Sequence, residues 1–184
     1  MQTLRTERLL LRPFTLDDAE AYRPLVSDPA VLRHTGEVAL TSIQQVRDLI
    51  RSRPLRDYAT YGFGRMACIE HATGRLVGFS GLKYLDDLRE VDIGYRFLPD
   101  CWGKGYATES ARRLMREGRE GLGIERVIGL VEPANAASVH VLKKVGLAFE
   151  SEVTVDGHEG ALHQYATPGT RHGQAFKPAQ RHMA

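Results

Sequence analysis

Between a run that reads as a strand and one that reads as a helix, the chain carries Trp102-Gly103-Lys104-Gly105-Tyr106-Ala107. Two glycines at such a junction let consecutive backbone N–H groups converge at a helix N-terminus, a geometry that receives an anion such as a phosphate. The segment is not a P-loop, because Lys104 is followed by Gly105 rather than Ser or Thr and Leu98 stands where the upstream glycine belongs. Nor is it a complete dinucleotide fingerprint, since Thr108 occupies the third glycine position. A tight strand-to-helix turn would use the same two glycines, and the segment alone does not separate the two readings. Other reactive side chains are less organised. His158 and His163 lack a third ligand at a zinc-binding spacing, His140 stands alone, and Cys101 has no His and Asp in a nucleophile arrangement. No metal site is expected.

The composition bounds what such a loop can belong to. A chain of 184 residues and 20.5 kDa forms one core that buries roughly 70% of the surface its unfolded form exposes, so stability requires neither disulfides nor metal. Hydrophobic residues at 42%, charged residues at 26% and a mean hydropathy of -0.31 exclude a disordered, collagenous or coiled-coil chain. The balance of 25 Lys and Arg against 23 Asp and Glu leaves +2, too little for a dedicated nucleic-acid binder. Cys68 and Cys101 form no CxxC and fit a reducing compartment as free thiols. The apolar run Leu9 to Leu11 is too short for a signal-peptide core, and nothing approaches the ~20 apolar residues of a membrane span. A cytoplasmic protein with no membrane partner is therefore expected.

Hydrophobic periodicity gives the elements that must position the loop. Residues 4–14 read as a first strand closed by Pro13, and Thr15 as the N-cap of a helix with Leu16, Ala19, Tyr22 and Val26 on one face, ending near Pro29. A second amphipathic helix is expected from Ser42 to about Leu55. Its arginines, Arg47, Arg51, Arg53 and Arg56, read as a solvated face, with attraction of an acidic acceptor as the alternative. Residues 63–69 and 76–85 form a hairpin around His71 to Gly74. Residues 90–98 follow as a strand with Glu90, Asp92, Gly94 and Arg96 on one face. Gly94 within that strand marks tolerance, a bulge, or the close approach of a ligand. Residues 106–121 predict a helix, 126–131 a strand, and Asn135 caps a helix whose inner face holds Ser138, Val141, Leu142 and Val145. Two strands, about 147–155 and 158–166, flank a turn at Asp156-Gly157, and a polar tail follows Pro168.

WGKGYATES followed by EPANAASVHVLKKVGLAFE resembles the acetyl-CoA-binding signature of the GNAT superfamily of N-acetyltransferases. RTERLLLRPFTLDDAEAY is similar to the opening of its ribosomal-protein N-terminal acetyltransferase branch. The resemblance runs over residues 3–167, and it departs from the superfamily at Trp102, where Gln or Arg is usual and this branch often has Trp. It implies a single α/β domain over residues 1–168 with a polar tail over 169–184. Its mixed, mostly antiparallel sheet would be splayed between the fourth and fifth strands, EVDIGYRFL and RVIGLV, with acetyl-CoA in the gap.

By the same resemblance, the pyrophosphate would lie over Gly103, Lys104, Gly105, Tyr106, Ala107 and Thr108, behind Trp102, and Asn135 would hold the pantetheine arm. Catalysis would be direct transfer to an amine, with Asp92 as base and Glu90 as the neighbouring carboxylate. Ser138 would be the acid, with Tyr95 and Tyr106 as alternatives. Partners would be a protein N-terminal or small-molecule amine, with a homodimer left open. The acceptor pocket would form from the two early helices and the loop after Ala30. A non-catalytic acyl-CoA sensor is the alternative from a different class.

Overall fold

Alternating apolar side chains build the strands, and in the computed structural model, which describes residues 1–156 and 158–171, eight of them join in one sheet. These are β1 (Leu4–Arg5), β2 (Leu9–Arg12), β3 (Arg65–Glu70), β4 (Leu76–Leu85), β5 (Glu90–Phe97), β6 (Ile128–Val131), β7 (Ala148–Val153) and β8 (Leu162–Ala166). Their order is β1-β2-β3-β4-β5-β6-β8-β7. Every neighbouring pair is antiparallel except β5–β6. A parallel pair needs a crossover, and helix α6 below supplies it. β5 and β6 share one register pair, Asp92 opposite Ile128. Beyond it the two strands part, which is the splay expected between EVDIGYRFL and RVIGLV.

Helices cover both faces. On the face carrying Phe79, Lys83, Asp92 and Arg96 lie α1 (Ala19–Tyr22), α2 (Pro24–Ser27), α3 (Pro29–Leu32), α4 (Ile43–Ile50) and α5 (Arg56–Tyr61). Tyr22 meets the Phe79 ring edge-on there. The opposite face, carrying Leu82, Val91 and Ile93, packs on α6 (Tyr106–Gly121), while α7 (Ala136–Lys144) covers β6. Ala111, Leu114 and Leu142 complete that side of the core.

Four elements differ from the sequence reading. The first strand breaks at residues 6–8, where the Thr6 N–H donates to the Leu9 carbonyl at 2.9 Å and turns the chain back on itself. That turn makes the splayed strands β5 and β6 rather than fourth and fifth. The first helix is in pieces because Pro24 and Pro29 each start a new segment. The second continues past Leu55 to Tyr61 through a π-helical turn at Arg51–Leu55, where Pro54 lacks the N–H that an α-helical ladder needs. The last hairpin has shorter strands and a longer connection than expected. Gly157 of the expected turn and residues 172–184 of the expected tail lie outside the described residues.

Candidate active site

The loop before α6 is shaped by its glycines and held by its aromatic residues. Gly103 (φ 73°) and Gly105 (φ 84°) are left-handed, a region costly for side-chain-bearing residues, and Gly105 is the residue preceding the first turn of α6. The Trp102 indole N–H donates to the Phe97 carbonyl at 2.8 Å, closing the loop against the end of β5, although half of the side chain stays exposed. Tyr106 is buried, while Ala107 and Thr108 stand half-buried in the first turn, and Lys104 is exposed. The first N–H groups of an α-helix have no intrahelical acceptor. Here they follow the C-terminal end of β5, on the side of the Asp92–Ile128 pair where β5 and β6 part, so the arrangement can receive an anion. Cys101 adjoins the loop as a buried free thiol, and burial pushes its pKa up.

Asp92 stands where the gap begins. One carboxylate oxygen accepts the Leu130 N–H at 3.2 Å, on the side of β6 where β5 no longer pairs, and the other is ion-paired with Arg65. Arg65 also donates to the carbonyls of Gly81 and Asp92, so its guanidinium ties β3, β4 and β5 together. It lies flat over Gly94, where any Cβ would overlap it. The glycine that the sequence marked for a bulge, a ligand or mere tolerance makes room for a side chain of the same chain.

Across the gap, Tyr95 Oη lies 3.0 Å from both the carbonyl and the Oγ of Ser138, joining β5 to α7. Burial drives the Tyr95 phenol pKa upward, with the Ser138 hydrogen bond opposing it, so Tyr95 keeps its proton. Asn135 caps α7 through its side-chain oxygen, which accepts the Ser138 N–H at 3.1 Å. Among the described residues its amide NH2 makes no hydrogen bond. Asp92, Tyr95, Ser138 and Asn135 are thus gathered at the strands that part.

Glu90 is not among them. It is on the closed side of the Asp92–Ile128 pair, 3% exposed, and accepts from Nε of the fully buried Arg126 at 2.9 Å. Arg126 also engages Glu150 at 2.7 Å and the Thr170 hydroxyl at 3.2 Å. This carboxylate belongs to a structural knot at the far end of the strands.

A cavity of about 400 Å³ opens between the early helices and the β7–β8 connection, with Val26, Leu40 and Leu49 as its apolar wall and Glu37, Arg53 and His158 among its polar groups. Burial alone would raise the Glu37 carboxyl pKa, but Arg96 and Arg53 together hold it below the ordinary range. Both arginines bond it, at 2.7 and 2.5 Å. Behind the cavity, Glu132 takes His34 at 2.8 Å and lies 3.4 Å from His158. The sequence reading missed Arg65, Glu37, His34 and Glu132, whose partners are far away in the chain. Only Gly94 left a trace, as an unexplained gap in a side-chain pattern.

The chain matches the family described as "Acetyltransferase (GNAT) domain" over residues 8–148. It is 32% identical over 163 residues to an uncharacterized N-acetyltransferase of Bacillus licheniformis, covering 88% of this chain and 89% of that one. Among solved structures it resembles an acetyltransferase of Agrobacterium tumefaciens with a TM-score of 0.76 at 25% identity, covering 90% and 94% of the two chains. It shares its fold with a ribosomal-protein α-N-acetyltransferase solved with coenzyme A, at a TM-score of 0.73 and 18% identity over 90% and 97% of the chains. The splayed sheet, the glycine loop at the head of α6 and the family match agree: the chain belongs to the GNAT acetyltransferases and is an acetyl-CoA-dependent N-acetyltransferase.

Proposed function

We propose that the protein transfers acetyl directly from acetyl-CoA to a primary amine, the N-terminal amine of a protein or a small-molecule amine, within one ternary complex in the cytoplasm. The observation that carries this reading is the Tyr95–Ser138 pair spanning the gap beside the glycine loop. In the proposal the pyrophosphate lies on the N–H groups of residues 103–108, and the Asn135 amide donates to the pantetheine arm. Acetyl-CoA supplies the activated thioester. The amine enters from the cavity behind Glu37 and attacks its carbonyl. Before attack Asp92 takes the ammonium proton through water; as the tetrahedral adduct collapses, the Ser138 hydroxyl, backed by Tyr95, donates to the departing thiolate and regains a proton from the one the new amide nitrogen sheds. An α-amine suits this chemistry. Its reference pKa of ~7.7 to 8.0 makes deprotonation at neutral pH cost about 1 to 1.4 kcal/mol, against roughly 4.6 for a lysine at ~10.4.

The test is release of free CoA from acetyl-CoA with a panel of N-terminal peptides, amino acids, polyamines and aminoglycosides. Turnover with at least one acceptor is expected. Binding with no release from any of them would instead identify an acyl-CoA sensor. Acetyl-CoA at about 100 times its dissociation constant should stabilise the fold by ~2.7 kcal/mol, raising Tm by several degrees. An unchanged Tm at saturation would contradict cofactor binding.

Gly105→Val tests where the pyrophosphate sits. A β-branched residue at φ 84° is strained, and its Cβ would stand 3.4 Å from the Arg8 guanidinium packed on the loop, so the loop would have to shift. Affinity for CoA, titrated on folded variant, should fall by about 10-fold or more. Parental affinity would move the pyrophosphate elsewhere.

A further inference from the structure

The turn at residues 6–8 is packed against the glycine loop, a hundred residues further along the chain. The Arg8 guanidinium donates to the Lys104 carbonyl at 2.8 Å and to Glu109 Oε2 at 2.7 Å, and lies 4.7 Å above the Tyr106 ring. The Arg8 backbone N–H and the Thr6 hydroxyl donate to the other Glu109 oxygen, at 2.8 and 2.6 Å. Glu109 is in the opening turn of α6. Burial works against its charge, but Thr6 and Arg8 together hold its carboxyl below the ordinary range.

Two consequences follow from elementary geometry and charge. A peptide unit is planar and trans, so the Gly105 N–H points opposite to the Lys104 C=O. Holding that carbonyl toward Arg8 therefore turns the Gly105 N–H to the other side of the loop. Glu109 also places a negative charge in the helix turn whose N–H groups would receive an anion. Unless a cation cancels it, that carboxylate repels the anion and weakens the attraction of the helix terminus.

We propose that Arg8 is a positioning residue for the pyrophosphate of the cofactor: it aims the Gly105 N–H and neutralises Glu109 at the edge of the cradle. The proposal rests on the reading that this loop holds the pyrophosphate. It also gives a role to RTERLLLRPF, a motif that catalysis leaves unused.

The experiment compares CoA with acetyl-pantetheine, an acyl donor with no pyrophosphate, in the parent, Arg8→Ala, Arg8→Lys, Glu109→Gln and the Arg8→Ala/Glu109→Gln double variant. Arg8→Ala should weaken CoA binding by about 5- to 30-fold. It should leave kcat at saturating acetyl-CoA and kcat/KM for acetyl-pantetheine close to the parent's. Arg8→Lys, which keeps the charge but not the planar fork, should fall between. The double variant should recover much of the affinity lost in Arg8→Ala, because the uncompensated carboxylate is gone. CoA affinity equal to the parent's in Arg8→Ala overturns the proposal. So does an equal loss with acetyl-pantetheine, or a double variant that binds CoA no better than Arg8→Ala; either would mean that Arg8 only supports the fold. If Arg8→Ala does not fold, Arg8→Lys and Glu109→Gln carry the same comparison. If the parent itself binds no CoA, the cofactor reading fails, and the proposal with it.

Discussion

Asp92→Asn lowers turnover at neutral pH by about 10²- to 10⁴-fold, the range for loss of a general base, while the dissociation constant for acetyl-CoA changes little. The expectation comes from where the carboxylate stands. It lies at the one register pair joining β5 to β6, on the sheet face that the early helices and the cavity share. Asparagine keeps an oxygen for the Leu130 N–H but presents an amide group, not a charge, to Arg65. The pH profile separates proton transfer from positioning. If Asp92 accepts the ammonium proton, the deficit shrinks as pH rises past the amine's own pKa of ~8, because the acceptor then arrives deprotonated. A deficit that stays constant from neutral to alkaline pH would make Asp92 a strut for the gap and remove it from the proton path. Glu90→Gln is the companion measurement. Glu90 is bonded to Arg126 on the closed side of that pair, so this change should lower stability and spare turnover per folded molecule.

The second large effect falls on stability. Arg126→Ala should destabilise the fold by about 3 to 5 kcal/mol, because it removes the buried cation that binds both Glu90 and Glu150. For a domain of this size that lowers Tm by roughly 6 to 20 °C. The Arg126 side chain is fully buried and joins Glu90, itself 3% exposed, to Glu150 and Thr170. Replacing the ionic pair by apolar residues of similar volume, as in Arg126→Met with Glu90→Leu, should recover a substantial part of the loss. Thermal unfolding of the two variants provides the check. A shift under about 2 °C for Arg126→Ala would mean that the Arg126 ion pairs do not hold this end of the sheet together.

The sequence exposed whatever depended on neighbours a few residues apart. Helical periodicity and the glycine loop bounded α6 at Tyr106 and Gly121, as found. Alternation located β4 and β5, and Asn135 capped α7 as its residue type suggested. Contacts made through space were hidden. Glu90 and Asp92 share a strand face and looked equivalent, yet one meets Arg126 and the other Arg65, partners 36 and 27 positions away. The break at residues 6–8 was masked by the apolar run after it, since Thr6 reads as an ordinary strand residue until its hydroxyl is seen accepting the Leu9 N–H. The π-helical turn depends on Pro54 lying where α4 would otherwise end, and single-residue periodicity does not register such a change of pitch.

The lone Asp92–Ile128 bridge divides the sheet into two rafts, β1 to β5 on one side and β6, β8 and β7 on the other. Each raft has its own ladder, whereas the strands at the seam share that bridge, the Asp92 side chain and the Arg126 knot, with the Tyr95–Ser138 contact reaching from β5 to α7. Amide hydrogen exchange should therefore divide the molecule there, with the smaller raft opening as a unit at a lower free energy than the larger one. A ligand filling the gap would touch both edges and make them exchange as one, so the cofactor would complete the sheet's cooperativity as well as supply the acetyl group.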